Sequence, residues 1–214
     1  MLATFSSEFI ALQDSILLKS YHPDVGTICE CGTGPALYRC VGQEFCFNGK
    51  LYCKACIRKN HAQLPFHCTK MWNGNNFVNC PLDTLDYILY LGHSGQQCPN
   101  LSQATCPHPM MIVHTNRFHK LSVHFCCCNN HSSEPLQLCN QQLFPSTMTQ
   151  PQTAFTFAVL DNCHLHMLSS KKSMYDYHNV LVKMMNPTFP QDIAVCFACP
   201  IYQSVANITL ESIH

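Results

Sequence analysis

Eight cysteine and histidine residues fall between positions 29 and 67, and their spacing constrains the fold of this chain more than any other feature. Their order is C-x-C-x8-C-x5-C-x6-C-x2-C-x4-H-x5-H, which supplies four pairs of side chains. Tetrahedral zinc takes thiolate sulfur and imidazole nitrogen from such pairs, with two pairs for each metal ion. The run therefore predicts two closed structural zinc sites.

The order of the pairs indicates how they are shared between the two metals. In a cross-brace module the first and third pairs bind one metal, and the second and fourth pairs bind the other. This rule predicts two sets of ligands: Cys29, Cys31, Cys53 and Cys56 in one, and Cys40, Cys46, His61 and His67 in the other. The order resembles B-box and ZZ-type fingers more than a RING. The alternatives are a disulfide framework, or eight unligated residues in an ordinary core.

The N-terminus and the cysteine content bear on the cellular compartment. Residues 1–20 contain Glu8 and Asp14 within an apolar pattern and lack a basic segment or a small-residue cleavage site, so no secretory signal is predicted. We therefore expect a reducing, intracellular environment, where closely spaced cysteines are more often metal ligands than disulfides. No apolar run approaches the length of a membrane span.

The charge of the chain argues against strong binding to nucleic acid. Twelve basic and twelve acidic residues give a formal net charge of zero. Cysteine ligands bind metal as thiolates, so nine of them with three Zn²⁺ ions would bring the net charge to about −3. Nucleic-acid-binding domains usually carry the opposite sign.

A third set of ligands is predicted at the ends of strand candidates. Residues 85–91 are predicted as a buried strand, and two further strands are predicted at 110–114 and 121–125. A sheet that aligned the ends of the first and last of these would form a Cys₃His site. Its predicted members are His93, Cys98, Cys126 and Cys128.

Two alternatives stand beside this third site. His93 would be a core histidine and the cysteine triplet would pack as small hydrophobic residues, as free cysteine readily does. Cys106 and His108 would also be available as substitute ligands, although they lie in a loop flanked by prolines. Strand alternation favours Cys126 and Cys128 together, because it places both on one face and Cys127 on the other.

The remaining pattern is mainly helical. An amphipathic helix is predicted over residues 5–19, with its apolar face packed on the surface of the domain. A short helical segment is predicted over 134–144, and a helical hairpin over 153–168 and 172–185. The tail contains Cys196 and Cys199, which form half of a zinc site and are interpreted as an unpaired remnant.

These elements predict an α+β fold with four parts. A zinc-stabilised cross-brace of B-box or ZZ type would be followed by a short antiparallel sheet with a further zinc site and by the C-terminal helical hairpin. The predicted domains are an N-terminal helix and linker at 1–24, a double-zinc module at 25–70, a cysteine-cluster α+β region at 71–186 and an irregular tail at 187–214.

Several longer segments carry a resemblance to a known family. They are LYCKACIRKNHAQLPFHCTKMWNGNNF, LGHSGQQC, HKLSVHFCCC, LFPSTMTQPQTAFTFAVL and SKKSMYDYHNVL. Together they resemble the Cys-x-Cys cysteine-cluster domain associated with KDZ transposases of fungal mobile elements, from about Cys29 to Met185. By this resemblance the four predicted members of the third site match the second cysteine cluster of the family.

The resemblance also implies a function. The segment CFACP is similar to the CPACP-type segment that introduces the transposase core, so we expect a chain truncated before that core. The expected function is a non-catalytic zinc-binding accessory module in the nucleus, which contributes to recognition of element ends or subunits. Its expected partners are the transposase core or other subunits, with weak or indirect contact to nucleic acid, and neither a membrane nor a small-molecule substrate.

Two other classes of function compete with this one. The alternative is a free-standing protein-interaction module of B-box or ZZ type. A cysteine-nucleophile enzyme would need a thiolate activated by a nearby base. That class is disfavoured, because metal ligation explains nearly all of the cysteine and histidine residues.

Overall fold

The structure is a computed structural model, and it describes residues 8–15, 21–42, 46, 49–100, 106–128, 132–171 and 173–185. The chain divides into two compact units, Met1–Tyr87 and Ile88–His214. The predicted tail at 187–214, with Cys196 and Cys199, lies outside the described residues. No helix in the described part of the chain is both long and apolar enough to cross a membrane.

In the first unit, the described strands form a four-stranded antiparallel sheet in the order β2-β1-β3-β4. The strands are β1 (Tyr38–Cys40), β2 (Leu51–Tyr52), β3 (Thr69–Trp72) and β4 (Phe77–Asn79). Helix α2 (Lys54–Asn60) follows β2, and a 3-10 helix, η1 (Leu82–Leu85), follows β4. A small core joins the sheet to the first cysteines, and its buried members are Cys29, Ala36, Leu51, Cys53 and Phe77.

The hairpin between β3 and β4 depends on a local turn. The side-chain oxygen of Asn73 accepts hydrogen bonds from the backbone N–H groups of Asn75 and Asn76, at 3.0 and 2.9 Å. Gly74 has a φ of +106°, which a residue with a Cβ rarely adopts. Beyond this turn Trp72 packs edge-on against Phe77, with 5.2 Å between ring centroids.

The boundary between the units differs from the predicted one. The predicted division between residues 70 and 71 falls inside β3, which pairs with β1 in the register Tyr38–Met71 and Arg39–Lys70. Dividing the chain there would break a sheet. The observed division follows Tyr87, after the 3-10 helix η1 has been completed.

Residues 8–15 form helix α1, which agrees with the centre of the predicted helix at 5–19. The side chains of α1 are exposed, with Ile10 at 70% and Leu12 at 45%. The predicted burial of this apolar face on the domain surface is therefore not seen for these residues. The remaining residues of the predicted helix, 5–7 and 16–19, lie outside the described part.

In the second unit, the described strands form a five-stranded sheet in the order β5-β7-β6-β9-β8. The strands are β5 (Ile88–Tyr90), β6 (His108–Val113), β7 (Phe118–His124), β8 (Leu143–Pro145) and β9 (Thr153–Thr156). Strand pairs β6–β7 and β8–β9 are antiparallel, whereas β5–β7 and β6–β9 are parallel. The sheet is therefore mixed, which corrects the prediction of a short antiparallel sheet.

The sheet also includes two segments that the sequence predicts as helical. Residues 143–145 and 153–156 form β8 and β9 instead of continuing the neighbouring helices. Thr156 is the last residue of β9 and directly precedes the next helix. Its side-chain oxygen accepts a hydrogen bond from the backbone N–H of Val159 at 3.2 Å. This is an N-cap, which satisfies a donor at the start of the helix.

The helices of the second unit are α3 (Glu134–Asn140), α4 (Phe157–Ser170) and α5 (Met174–Met185), with a 3-10 helix η2 (His93–Gly95) after β5. Helices α4 and α5 follow one another and form the helical hairpin that the sequence predicts. The hydroxyl of Tyr177 on α5 donates to the side-chain oxygen of Asn162 on α4 at 2.7 Å. Their buried residues join those of the sheet in one core: Val113, Phe118, Phe155, Val159, Leu160, Cys163, Tyr177, Leu181 and Val182.

Candidate metal centres

The twelve predicted ligand residues lie together in three groups of four. In each group one potential ligand atom from every residue lies within 4.8 Å of the others. We call them site 1 (Cys29, Cys31, Cys53, Cys56), site 2 (Cys40, Cys46, His61, His67) and site 3 (His93, Cys98, Cys126, Cys128). The cysteines that the structure describes are free thiols, so the disulfide framework considered above is not formed among them.

Site 1 is built from a tight loop and the start of a helix. The loop is closed by a hydrogen bond from the backbone N–H of Cys29 to the carbonyl of Gly34 at 2.9 Å. Gly32 follows Cys31 with a φ of +74°, a left-handed conformation that glycine adopts without strain. Cys53 is the N-terminal cap of α2, and Cys56 lies in the first turn of that helix.

Hydrogen bonds in site 1 favour thiolates at two of its positions. The Sγ atoms of Cys31 and Cys53 lie 3.5 Å apart, and the Thr33 hydroxyl lies 2.9 Å from Cys31 Sγ. Hydrogen bonds from the side chain and backbone of Thr33 lower the pKa of Cys31 to about 6. The backbone N–H of Cys56 lowers the pKa of Cys53.

The Cys56 thiol shows the opposite effect. Hydrogen bonds with Cys31, and then with Cys53, raise the pKa of Cys56 to about 12, because its proton is shared with thiolate neighbours. A divalent cation among these sulfur atoms would replace that proton as the positive charge that holds them together.

Site 2 lies at the other end of α2. Its histidine His61 is the C-terminal cap of that helix and is only 1% exposed. The Nδ1 atom of His61 lies 2.8 Å from the carbonyl oxygen of Ile57, so Nδ1 carries the proton and donates. The lone pair of Nε2 then faces Cys46 Sγ at 3.4 Å. A backbone carbonyl that fixes the tautomer in this way is typical of a metal-binding histidine.

The remaining members of site 2 are Cys40 at the end of β1, Cys46 between β1 and β2, and His67 in the loop after α2. The Nδ1 atom of His67 lies 3.4 Å from Cys40 Sγ and 3.6 Å from Cys46 Sγ. The backbone N–H of Gly42 donates to Cys40 Sγ at 3.2 Å. Burial is the largest cause that raises the pKa of Cys40, to about 12. A buried thiol of this kind is ionised only if a cation compensates the cost of burying its charge.

Site 3 forms where two parallel strands end. Strands β5 and β7 pair in parallel with Tyr90 beside His124, so their C-terminal ends meet at one edge of the sheet. His93 and Cys98 follow β5, whereas Cys126 and Cys128 follow β7. The structure therefore aligns the ends of two strands as the prediction of site 3 requires, although β5 and β7 run parallel.

The atoms of site 3 are closely spaced. The Nε2 atom of His93 lies 3.3 Å from Cys126 Sγ and 3.5 Å from Cys128 Sγ. Cys98 Sγ lies 3.9 and 3.7 Å from the same two sulfur atoms. The backbone N–H of Cys127 is the largest cause that lowers the pKa of Cys98, to about 6. Hydrogen bonds with Cys126 and then Cys98 raise the pKa of Cys128 to about 11.

These distances can be compared with a tetrahedral metal centre. Bonds of about 2.3 Å to sulfur and about 2.05 Å to nitrogen, at tetrahedral angles, place two sulfur atoms roughly 3.8 Å apart and sulfur roughly 3.6 Å from nitrogen. The observed Sγ–Sγ distances are 3.5, 3.7 and 3.9 Å. The observed distances between Sγ and ring nitrogen run from 3.3 to 3.6 Å. The three groups therefore fit a four-coordinate metal ion.

The other candidates lie outside the three groups. Cys106 is exposed, and the partly buried His108 begins β6. Cys163 is fully buried in the core of the second unit, and Cys139 lies on α3 with a pKa raised by burial. Among the described residues, neither the substitute ligands Cys106 and His108 nor the cysteines Cys139 and Cys163 join a metal-binding group.

Sequence reasoning missed the residues that support the ligands. Thr33 and Gly42 each lie two residues after a ligand, so their position in the sequence could have indicated them. The side chain of Asn100 donates to Cys128 Sγ at 3.4 Å, and Gln137 bonds to the backbone of Cys126. Gln137 gives no signal in the sequence, because it is a common helix residue eleven positions from its partner.

A family model matches the part of the chain that contains site 3. The model of the CxC2-like cysteine cluster associated with KDZ transposases matches residues 82–188, which include site 3. The resemblance seen in the sequence begins at about Cys29, whereas this match begins at residue 82. Sites 1 and 2 therefore lie outside the match. Comparisons with curated proteins and with solved structures gave no match. With half of its residues matched, the chain belongs to the family of CxC2-like cysteine-cluster domains associated with KDZ transposases.

Proposed function

We propose that this chain is a non-catalytic zinc-binding module that contributes recognition of element ends or of other subunits to a KDZ-type transposase. The observation that carries the proposal is the tetrahedral spacing of three cysteine and histidine groups, one of them inside the family match. Zinc is the metal proposed, because it has no preferred d-electron geometry and is bound in structural sites by Cys₄, Cys₂His₂ and Cys₃His sets.

The ligand count supports a structural role for the metal. Catalytic zinc sites keep three protein ligands and leave one position for water or substrate, whereas structural sites are closed by four. Each of the three groups offers four protein ligands. Phosphoryl transfer by two metal ions would also need converging carboxylates, and the three groups consist of cysteine and histidine alone.

We expect three zinc ions in each folded chain, measured by elemental analysis together with native mass spectrometry. Structural zinc has apparent binding free energies of about 10–16 kcal/mol in finger peptides, so strong chelation should also unfold the region that carries sites 1 and 2. The Cys106→Ser variant is the control, because Cys106 is exposed and lies outside the groups. A count of zero or one in the unmodified chain would contradict the proposal.

The charged groups near α2 support the expectation that the chain binds nucleic acid only weakly. Lys54 Nζ pairs with Asp86 at 2.8 Å, and Lys50 Nζ pairs with Glu30 at 2.6 Å. These pairs are exposed, so they add little stability, but Glu30 and Asp86 offset the positive charges of Lys50 and Lys54. His61 is buried and bonded to the backbone, which makes it unsuitable as a phosphate contact.

We expect the zinc-loaded chain to bind duplex DNA at most weakly. Non-specific affinity comes mainly from lysine and arginine residues that neutralise phosphates and release counterions. Titrations at two salt concentrations would measure it, with an Arg58→Ala, Lys59→Ala double variant as control for the exposed end of α2. A sub-micromolar Kd at physiological salt that weakens steeply with added salt, and that the double variant loses, would replace this expectation with direct DNA recognition.

A second function is favoured by one observation. Sites 1 and 2 lie outside the family match, within the first unit, and their ligand pairs alternate along the chain as in a cross-brace. B-box and ZZ modules share this alternation. On this alternative the first unit is a free-standing protein-interaction module, and the weak DNA binding expected above would hold as well.

A further inference from the structure

The side chain of Gln137 is buried against the backbone of a site 3 cysteine. Its Oε1 atom accepts the backbone N–H of Cys126 at 2.7 Å, and its Nε2 atom donates to the carbonyl of Cys126 at 3.2 Å. The Nε2 atom also donates to the carbonyl of Ser132 at 2.8 Å. The side chain is 6% exposed, and its oxygen and its two N–H donors each have a bond assigned to them.

These bonds replace the support that a neighbouring strand would give. Strand β7 ends at His124, two residues before Cys126. In an antiparallel ladder one residue exchanges both of its backbone hydrogen bonds with a single partner residue. The amide of Gln137 makes the same pair of bonds with Cys126, from a helix instead of a strand.

Cys126 is also confined by the loop that carries the histidine of site 3. A Cβ placed on Gly92 would lie 3.2 Å from the Cβ of Cys126, so the loop backbone approaches this cysteine closely. Gly92 has a φ of +93° and precedes His93, whose Nε2 lies 3.3 Å from Cys126 Sγ. Cys126 is therefore held between the backbone of Gly92 and the side-chain amide of Gln137. These two contacts set the direction of its Sγ atom.

We propose that Gln137 is a positioning residue for the metal at site 3. It fixes the peptide planes on both sides of Cys126 and thereby holds the thiolate at the distance from His93 and Cys98 that a tetrahedral ion requires. The inference rests on the proposed function, because it assumes that site 3 binds zinc. Supporting residues of this kind typically change metal affinity by about 10- to 100-fold.

The test compares the same substitution at two glutamines, one on α3 and one at its C-terminal cap. Gln137→Met keeps the length of the side chain but removes its three hydrogen bonds. Gln141→Met is the matched control, since Gln141 is exposed at the C-terminal cap of the same helix. Zinc release from each holoprotein to a chromophoric chelator would be followed, together with the thiolate-to-metal absorption after loading with Co²⁺.

The expected result is that one of three zinc ions in Gln137→Met is released at about 10- to 100-fold lower chelator concentration, while Gln141→Met behaves like the unmodified chain. A changed Co²⁺ spectrum for one site is also expected, which a loss of general stability would not produce by itself. Equal release from Gln137→Met and the unmodified chain would overturn the inference.

A measurement on the unmodified chain covers the case in which Gln137→Met does not fold. Nuclear magnetic resonance of the zinc-loaded protein should show slow hydrogen exchange at the Cys126 amide and at the side-chain amide of Gln137. Exchange of the Gln137 amide at the rate of free glutamine would overturn the inference even if three zinc ions are bound. A count of zero or one zinc ion in the unmodified chain would instead contradict the proposed function, so the two failures are distinguishable.

Discussion

Replacement of Cys53 by serine should reduce the zinc content from three ions to one and unfold the first unit. Cys53 is 5% exposed, belongs to the core of that unit and caps α2, the helix that ends in His61 of site 2. Loss of the thiolate therefore disturbs both sites through one helix. Apparent zinc-binding free energies of about 10–16 kcal/mol are comparable to the roughly 5–15 kcal/mol that stabilises a typical domain. Circular dichroism melts and zinc analysis would measure both effects.

Cys163→Ser is the control for this prediction. Cys163 is fully buried in the core of the second unit, where burial raises its pKa to about 11, and it belongs to none of the three sites. A serine hydroxyl there should cost about 1–3 kcal/mol and leave three zinc ions bound. Similar losses of stability and zinc in the two variants would show that the division between ligand cysteines and core cysteines is wrong.

The groupings were predictable because they follow from short-range spacing and from strand ends. The pairs of sites 1 and 2 lie a few residues apart, so local turns such as the one at Gly32 are sufficient to bring each pair together. Each site also needs a long-range step that joins two such pairs. The alternation of pairs in a cross-brace supplied that step for sites 1 and 2, where Cys31 meets Cys53 and Cys40 meets His67. Strand pairing supplied it for site 3, because His93 and Cys126 each follow a strand within three residues. Whether zinc occupies these groups remains a prediction.

The five-stranded sheet could not be predicted in the same way. Strand β9 pairs with β6 and β8 inside the sheet, and its residues Ala154, Phe155 and Thr156 are buried in succession. A strand covered on both faces loses the alternation of apolar and polar residues. A short apolar run of this kind cannot be told from a buried helix by periodicity alone. The helix α4, which follows directly, made the helical interpretation of 153–156 the natural one.

Whether a residue that supports a metal ligand can be predicted from the sequence depends on how close it lies to that ligand along the chain. Thr33 and Gly42 contact ligands two residues away, so a pattern of cysteine followed by a small or hydroxyl residue contains their signal. Gln137 contacts main-chain groups of Cys126, and main-chain partners leave no trace in residue type. Its role follows only from the fold, which places α3 beside the end of β7.

Gly42→Ala should weaken zinc binding at site 2 by about 10- to 100-fold, the range seen when the surroundings of a metal ligand are changed. A Cβ at Gly42 would lie 2.9 Å from His67 Nδ1 and 3.2 Å from Cys40 Sγ. Non-bonded heavy atoms are optimally separated by about 3.5–4.0 Å, so the added methyl group would displace the ligand atoms themselves. Chelator competition on the zinc-loaded variant would detect one labile ion of three.

Gly34→Ala provides the matched control within the same unit. A Cβ at Gly34 would meet only the Cβ of Cys53 at 3.9 Å, an ordinary contact. Neither Gly34 nor Gly42 has a positive φ, so the two substitutions restrict the unfolded chain alike and strain the backbone alike. A difference in zinc release between the two variants therefore measures the effect of the methyl group beside site 2. Unchanged zinc release in Gly42→Ala would mean that His67 Nδ1 and Cys40 Sγ do not hold the metal together, and site 2 would need another set of ligands.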